Sequence, residues 1–169
     1  KTGLAVKVTA NTKSALKSAD IIIAVTSAVD SIIEPEDLKS GAIVCDVARP
    51  RNVSRRVAEM RNDILVIEGG VVEVPGHVDF GLNFGFPHGT AYACMAETMI
   101  LSLEQRYENF TLGRELTVKQ VETIEKLAVK HGFKLAGFRS FERAITEEEI
   151  TLIKANVISN QEEQRRGIS

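Results

Sequence analysis

Cysteine is scarce: only Cys45 and Cys94 occur, in unlike local sequences. Two such residues make neither a disulfide framework nor a metal-ligand spacing, and they suit a reducing cytoplasm, so a cytoplasmic location and no metal are expected. Charge of one sign is also missing. A formal net charge of −2 creates no basic field, which argues against nucleic acid as a partner. No apolar run approaches the roughly 18 to 20 residues that span a bilayer, so no transmembrane segment is expected. Residues 1–10 lack the charged start, apolar core and small-residue cleavage site of a signal peptide. Internal repeats and low-complexity segments are absent. So is the G-x-G-x-x-G turn with which a dinucleotide-binding unit opens, where backbone amides and a helix N-terminus hold a pyrophosphate. The chain is therefore expected to begin after that unit, as part of a longer protein, and by itself to bind a dinucleotide weakly or not at all.

The 169 residues are 44% apolar and 26% charged, ordinary values for a globular protein. Leu4 to Val8 is a short β-type run. Asn11 or Thr12 can cap a helix carrying Ala15, Leu16 and Ala19. After Asp20 the run IIIAVTSA is too apolar to have a wet face and predicts a central strand covered on both sides. Pro35 to Lys39 predicts one helical turn. AIVCDVA after Gly41 predicts a second buried strand, residues 49–60 an irregular or weakly helical stretch, and ILVIEGG a third strand. The last third reads as helical. Tyr92, Met95, Ala96, Met99, Leu103 and Tyr107 share one face of a helix expected over 90–110. Thr117 with Gln120 and Thr146 with Glu149 are capping boxes, and Gly132 is a natural helix stop.

Ligands of open parallel sheets bind at the carboxyl ends of strands. Three such ends can be read. Thr26, Ser27 and Ala28 let a ring or ribose approach the backbone, or simply finish a strand. Asp46 to Val53 carries Arg49 and Arg51, whose guanidinium forks either hold an anion or pair with nearby carboxylates. Gly69 and Gly70 either admit a cofactor or make a plain turn. Cys94 stands near a helix start, after a Gly-Thr pair that could cap it, where amides and dipole favour a thiolate; the other reading is a packed thiol. His88, six residues upstream, either protonates or stabilises that sulfur or is a surface histidine. Cys45 belongs to strand packing. His77 and Asp79 lack a third metal ligand, and His131 suits a helix C-terminus.

GGVVE (residues 69–73), ACMAETMILSLE (93–104), NFTLGR (109–114) and KHGF (130–133) stand in one order. Together they resemble the C-terminal half of the long-chain acyl-[acyl-carrier-protein] reductase family, over about residues 19–138. DVARPRNV also resembles the matching strand end of glutamyl-tRNA reductases, and the Ala19–Ser27 strand that of shikimate dehydrogenases. Strands alternating with short helical segments, followed by a helical last third, predict an α/β fold, a partial doubly wound, Rossmann-like parallel sheet followed by an α-helical C-terminal region. Residues 1–88 are expected as a partial NAD(P)-binding domain without its Gly-rich first unit, and residues 89–169 as helical. The resemblance implies an NAD(P)H-dependent oxidoreductase that reduces an acyl thioester to a fatty aldehyde, with NADPH as cofactor and NAD as the alternative. Cys94, inside A-C-x-A-E, falls where the family's nucleophile stands; His88 is read from the chain as its candidate catalytic neighbour, and Thr26, Ser27, Ala28, Gly69 and Gly70 as candidate cofactor contacts. Acyl carrier protein or another acyl-thioester donor is the implied partner, and self-association into a homo-oligomer is expected from an exposed sheet edge and apolar helix face. Residues 74–90 depart from the family pattern, and those after Phe138 have no counterpart in it. The competing readings are a shikimate- or amino-acid-type dehydrogenase without covalent catalysis, and a non-catalytic binding domain on the same fold.

Overall fold

A computed structural model of the chain describes residues 5–82, 86–113 and 115–167. It divides into two compact units, one made of residues 1–69 and 138–169, the other of residues 70–137.

The first unit is built on a parallel sheet in the order β1 (Ile21–Ala24), β2 (Ile43–Asp46), β3 (Leu65–Glu68). β-Branched Ile and Val populate these strands, as a pleated packed surface favours. α1 (Thr12–Leu16) starts at Asn11, whose side chain accepts from Ser14 N. A 3-10 turn (Pro35–Asp37) and α2 (Arg55–Met60) occupy the connections. In the register Ile22, Val44 and Val66 lie side by side, and all three are buried with Leu16, Ile33, Val53 and Val57.

The other face differs from the expectation of strands covered on both sides. Ile21 and Ile23 are each 66% exposed, and Ile43 is 37% exposed. Strand order explains this. Successive crossovers that advance in one direction with the usual right hand lie on the same side of the sheet, so residues 21–68 clothe one face only. Residues 5–8, expected as part of a strand, form none, since no partner strand lies beside them among the described residues; Leu4 lies outside those residues.

Two later elements complete this unit. β7 (Arg139–Ser140) and β8 (Arg143–Ala144) form a hairpin whose two turn residues, Phe141 and Glu142, both have positive φ, at 47° and 73°. Phe141 packs against the core beneath the sheet, which offsets a conformation unfavourable for a bulky residue. α5 (Glu147–Arg166) begins at the expected capping box and lies against the unit at Gly41 and at Asn62, whose carbonyl accepts from Asn156 Nδ2. The division expected at residues 88 and 89 is thus not the one seen. The stretch after residue 88 holds four short strands as well as helices, and its end returns to the first unit.

The second unit is an antiparallel sheet, β5 (Thr90–Tyr92), β4 (Val71–Glu73), β6 (Lys134–Leu135), covered by α3 (Ala93–Leu103) and α4 (Val118–His131). Ala91, Ala96, Ile100 and Phe133 are buried at its centre, with Met95, Met99, Ile124 and Leu127 against them. Thr117 and Gln120 make the expected capping box, and Gly132 ends α4 at φ 80°. The α3 stripe is shorter than expected. Residues 90–92 are strand, and Leu103 and Tyr107 are 58% and 84% exposed. At the far ends of the two helices, Glu104 accepts from Lys130 and meets His131 Nε2, both at 2.5 Å, so His131 answers a carboxylate as well as a helix end. Hydrogen bonds from Lys130 and then His131 hold the Glu104 carboxyl below the usual carboxylate range.

Candidate active site

At the carboxyl ends of the parallel strands the register sets Ala24, Asp46 and Glu68 abreast on the covered face. Asp46 and Glu68 are both buried, and two neighbouring buried carboxylates are tolerable only if each is separately satisfied. Asp46 is satisfied by backbone. Its Oδ1 accepts from Ala48 N at 3.1 Å, and its Oδ2 accepts from Asn52 N at 2.8 Å and Val53 N at 3.0 Å. These three bonds wrap the DVARPRNV loop around the carboxylate.

Glu68 is satisfied by a cation. Arg51 Nε donates to it at 2.6 Å, while Arg51 Nη2 donates to Glu142 at 3.0 Å, and Glu142 N donates to the second Glu68 oxygen at 3.2 Å. Burial alone would lower the Arg51 pKa, but Glu142 and Glu68 more than offset it and raise it. Of the two readings of Arg51, the paired one is what the fold displays. Arg49 Nη1 donates to Ala48 O at 2.8 Å, within its own loop.

The Asp46 loop reaches across to the end of β1 through Asn52, which is fully buried. Asn52 Oδ1 accepts from Thr26 Oγ1 at 2.8 Å and Thr26 N at 3.4 Å; Thr26 Oγ1 in turn accepts from Ala28 N at 3.1 Å. The Thr26–Ala28 turn is therefore held from beneath, while Thr26 and Ser27 stay exposed.

A Cβ at Gly69 would stand 2.7 Å from Val47 Cγ2 and 3.3 Å from Cys45 Sγ, so a side chain there would force its neighbours to shift. Gly70, at φ 79°, needs glycine for its backbone, and its carbonyl accepts from Ala93 N, the first amide of α3, at 2.8 Å. It thereby fixes the start of the helix that carries Cys94.

Cys94 is exposed at the second position of α3. The helix is capped differently from the expectation. Its N-cap is Tyr92, which gives no side-chain cap, whereas the Thr90 hydroxyl donates to Pro87 O at 2.7 Å. No acidic residue stands in the first turn. First-turn amides without a side-chain acceptor stabilise negative charge placed beside them, on sulfur or on a carbonyl oxygen under attack. His88 is exposed in the turn before β5 and lines a cleft of about 440 Å³ with Val78, Phe80, Phe86 and Thr90, a cleft in which Cys94 has no part. The extended residues Thr90–Tyr92 set His88 and Cys94 at opposite ends of β5. Cys45 is half-buried within β2. Among the described residues no group of three or more His, Cys, Asp or Glu could hold a metal ion, and no helix is long and apolar enough to cross a membrane.

Sequence reasoning missed the Asp46–Asn52–Thr26 chain of bonds. A signal for it exists, an Asp closing an apolar strand and an Asn six residues later. The pairing of Arg51 with Glu142 spans 91 residues and leaves no local trace.

Comparison with known proteins gives these features a setting. Residues 3–67 match the model of the shikimate/quinate 5-dehydrogenase family. The chain is 38% identical over 137 residues, 79% of its length, to the aminotransferase PigE of Serratia sp. (strain ATCC 39006). It is 33% identical over 128 residues, 72% of its length, to the long-chain acyl-[acyl-carrier-protein] reductase of Synechococcus elongatus. It spans 16% of the first of these proteins and 37% of the second. Over the stretch it shares with them, the chain is similar to a long-chain acyl-[acyl-carrier-protein] reductase, and its residues 3–67 are similar to the shikimate/quinate 5-dehydrogenases.

Proposed function

We propose that the chain is the nucleophile-bearing part of an NAD(P)H-dependent reductase that turns an acyl thioester into an aldehyde. The observation that carries this reading is the placement of Cys94: exposed, at the second position of an eleven-residue helix with no side-chain cap, in a chain related to an acyl-thioester reductase. Acyl carrier protein or another thioester of the same chemistry is the donor, and NADPH is the preferred reductant.

In the first step the Cys94 sulfur attacks the thioester carbonyl. The new C–S bond forms, the old one breaks, and the donor leaves as a thiol carrying the proton that Cys94 gave up. One thioester replaces another, so the free-energy change is small and positioning dominates. The amides at the start of α3 stabilise the charge that develops, and Gly70, by holding Ala93 N, keeps that helix end in place. Cys94 is open to solvent, which takes and returns the proton; His88, at the far end of β5, is assigned no direct step. A nicotinamide cofactor, when bound, would supply the hydride; with a proton from solvent, Cys94 would leave the acyl carbon as the free thiol and aldehyde would be released. The exposed Thr26–Ala28 turn, fixed by Asn52, is the surface against which the cofactor's ribose or ring would rest.

The test is made on the full-length protein with an acyl-thioester donor. Omitting NADPH should trap one acyl group on Cys94, seen by intact mass and peptide mapping, and Cys94→Ser should abolish both the adduct and aldehyde formation. Full aldehyde formation by Cys94→Ser would remove the proposal. The match of residues 3–67 to the shikimate/quinate 5-dehydrogenases favours a second reading, reduction without a covalent step. It predicts cofactor-dependent turnover with no adduct.

A further inference from the structure

α3 does not end at Leu103 by fraying. Gln105 takes a left-handed conformation at φ 54°, and Arg106 N donates to Leu101 O at 2.9 Å, which reverses the chain. Residues 106–112 then run back beside the helix. Two hydrogen bonds hold them there: the Thr111 hydroxyl donates to the Glu97 carboxylate, and Gln120 of α4 donates to Phe110 O. Within the returning segment Arg106 lies 4.9 Å from the centre of the Phe110 ring. Between helix and returning chain lies an open cleft of about 710 Å³.

The helix wall of this cleft is Glu97, Thr98, Leu101 and Ser102. Counted from Cys94 these are the third, fourth, seventh and eighth residues on. At about 100° per residue, Glu97, Thr98 and Leu101 share the Cys94 face, with Leu101 almost directly in line. At about 1.5 Å of rise per residue the cleft opens roughly 4 to 5 Å along the axis from Cys94 and runs on to about 12 Å. It is a trough leading away from the proposed nucleophile.

We infer that this trough receives the pantetheine arm of the thioester donor, the segment that delivers the reacting carbonyl to Cys94. The inference rests on the reading of Cys94 as nucleophile. Its chemistry comes from the lining. Leu101 and Leu112 supply an apolar floor and rim, and Thr98, Ser102, Asn109 and Thr111 supply hydroxyl and amide groups. A pantetheine arm has the same composition: two amides and a hydroxyl that need hydrogen-bond partners, and a gem-dimethyl carbon that seeks apolar contact. An alkyl chain would gain little here, because the trough is open to solvent and half its wall is polar. Glu108 is paired with Arg106, which also lines the trough, and Glu97 adds a negative charge that opposes a carboxylate or phosphate, so the neutral part of the arm is what the trough accepts.

The experiment compares two thioesters with the same acyl group, one of pantetheine and one of N-acetylcysteamine, which carries only the first amide. Acylation of Cys94 is followed by intact mass in a Cys45→Ser background. The pantetheine thioester should react at least tenfold faster. Ser102→Trp, which fills the trough, and Leu112→Asp, which spoils its rim, should each bring the ratio close to one. Iodoacetamide reports the exposure of the thiol in every variant, and far-UV circular dichroism its fold. Equal rates for the two thioesters on the unsubstituted trough would overturn the proposal while leaving the nucleophile standing. A rate that follows acyl-chain length and ignores the arm would overturn it in favour of the acyl group. Reaction with iodoacetamide but with neither thioester would remove the nucleophile itself, and the trough's role with it.

Discussion

Replacing Asp46 by alanine removes the acceptor of three backbone N–H groups at once, those of Ala48, Asn52 and Val53. The site is buried, so water cannot readily take over, and an unsatisfied buried donor costs about 1–3 kcal/mol. Bonds to a carboxylate are the stronger kind, but a loop can shift to rehydrate part of what is exposed, so a loss of roughly 3–6 kcal/mol is expected for Asp46→Ala. Asp46→Asn is the discriminating companion. Its single carbonyl oxygen can take the Oδ2 position and keep the bonds from Asn52 N and Val53 N, while its NH2 then faces Ala48 N–H. It should lose roughly 1–3 kcal/mol, one unmade bond in place of three. The chain has no tryptophan, so urea unfolding is followed by far-UV circular dichroism. With a urea slope of about 1–3 kcal/mol/M, the alanine variant should move the midpoint by roughly 2 M and the asparagine variant by less than half of that. An alanine variant within about 1 kcal/mol of the parent would refute the argument, since three buried amides cannot lose their acceptor so cheaply. Equal damage from both variants would refute the geometric part, because then the number of bonds kept is irrelevant.

Arg51→Met removes the cation from a Glu68 side chain that is 1% exposed, and the stranded carboxylate should cost about 3–5 kcal/mol in urea unfolding at neutral pH; a loss below about 1 kcal/mol would show that the Glu142 amide suffices. Gly69→Ala should destabilise measurably because its Cβ meets Val47 at 2.7 Å, and Val47→Ala should relieve most of the loss; independent, additive effects of the two would contradict the contact. Burial alone would raise the Asp63 carboxyl, but hydrogen bonds and charge from Arg61 hold it below its ordinary value. Its contribution to stability is therefore present above the ordinary carboxylate range and is lost as pH falls through the depressed value. Asp63→Asn should accordingly be less stable than the parent at neutral pH by a margin that shrinks on acidification, and a margin independent of pH would count against the Arg61–Asp63 pair.

Periodicity and local chemistry disclosed much of this fold. The three parallel strands, the single turn at Pro35, both capping boxes and the Gly132 stop were readable because each is decided within a few residues. What escaped was decided elsewhere. Ile21 and Ile23 carry the composition of a doubly covered strand, but what covers a face depends on the crossovers, and those of residues 21–68 lie on one side. Tyr107 fits the α3 stripe by spacing, yet the reversal at Gln105 takes it off the helix. Cys94 shows the same division. Its position in a helix start was legible from the chain, the cap was misplaced by two residues, and the trough beside it depends on a chain reversal that no periodic pattern encodes.

The carboxyl edge of the parallel sheet shows what the buried acids decide. Asp46 is consumed by its own loop and Glu68 by Arg51, so neither is left to bind a ligand, and the end of β3 is closed by the hairpin at Phe141 and Glu142. The end of β1 keeps the side chains of Thr26 and Ser27 exposed on a held backbone. That restraint reaches Thr26 through Asn52, and Asn52 stands where it does because Asp46 fixes its amide. Asn52 cannot be flipped without turning its NH2 toward Thr26 N–H, so the buried side chain has one orientation in which it can hold that turn.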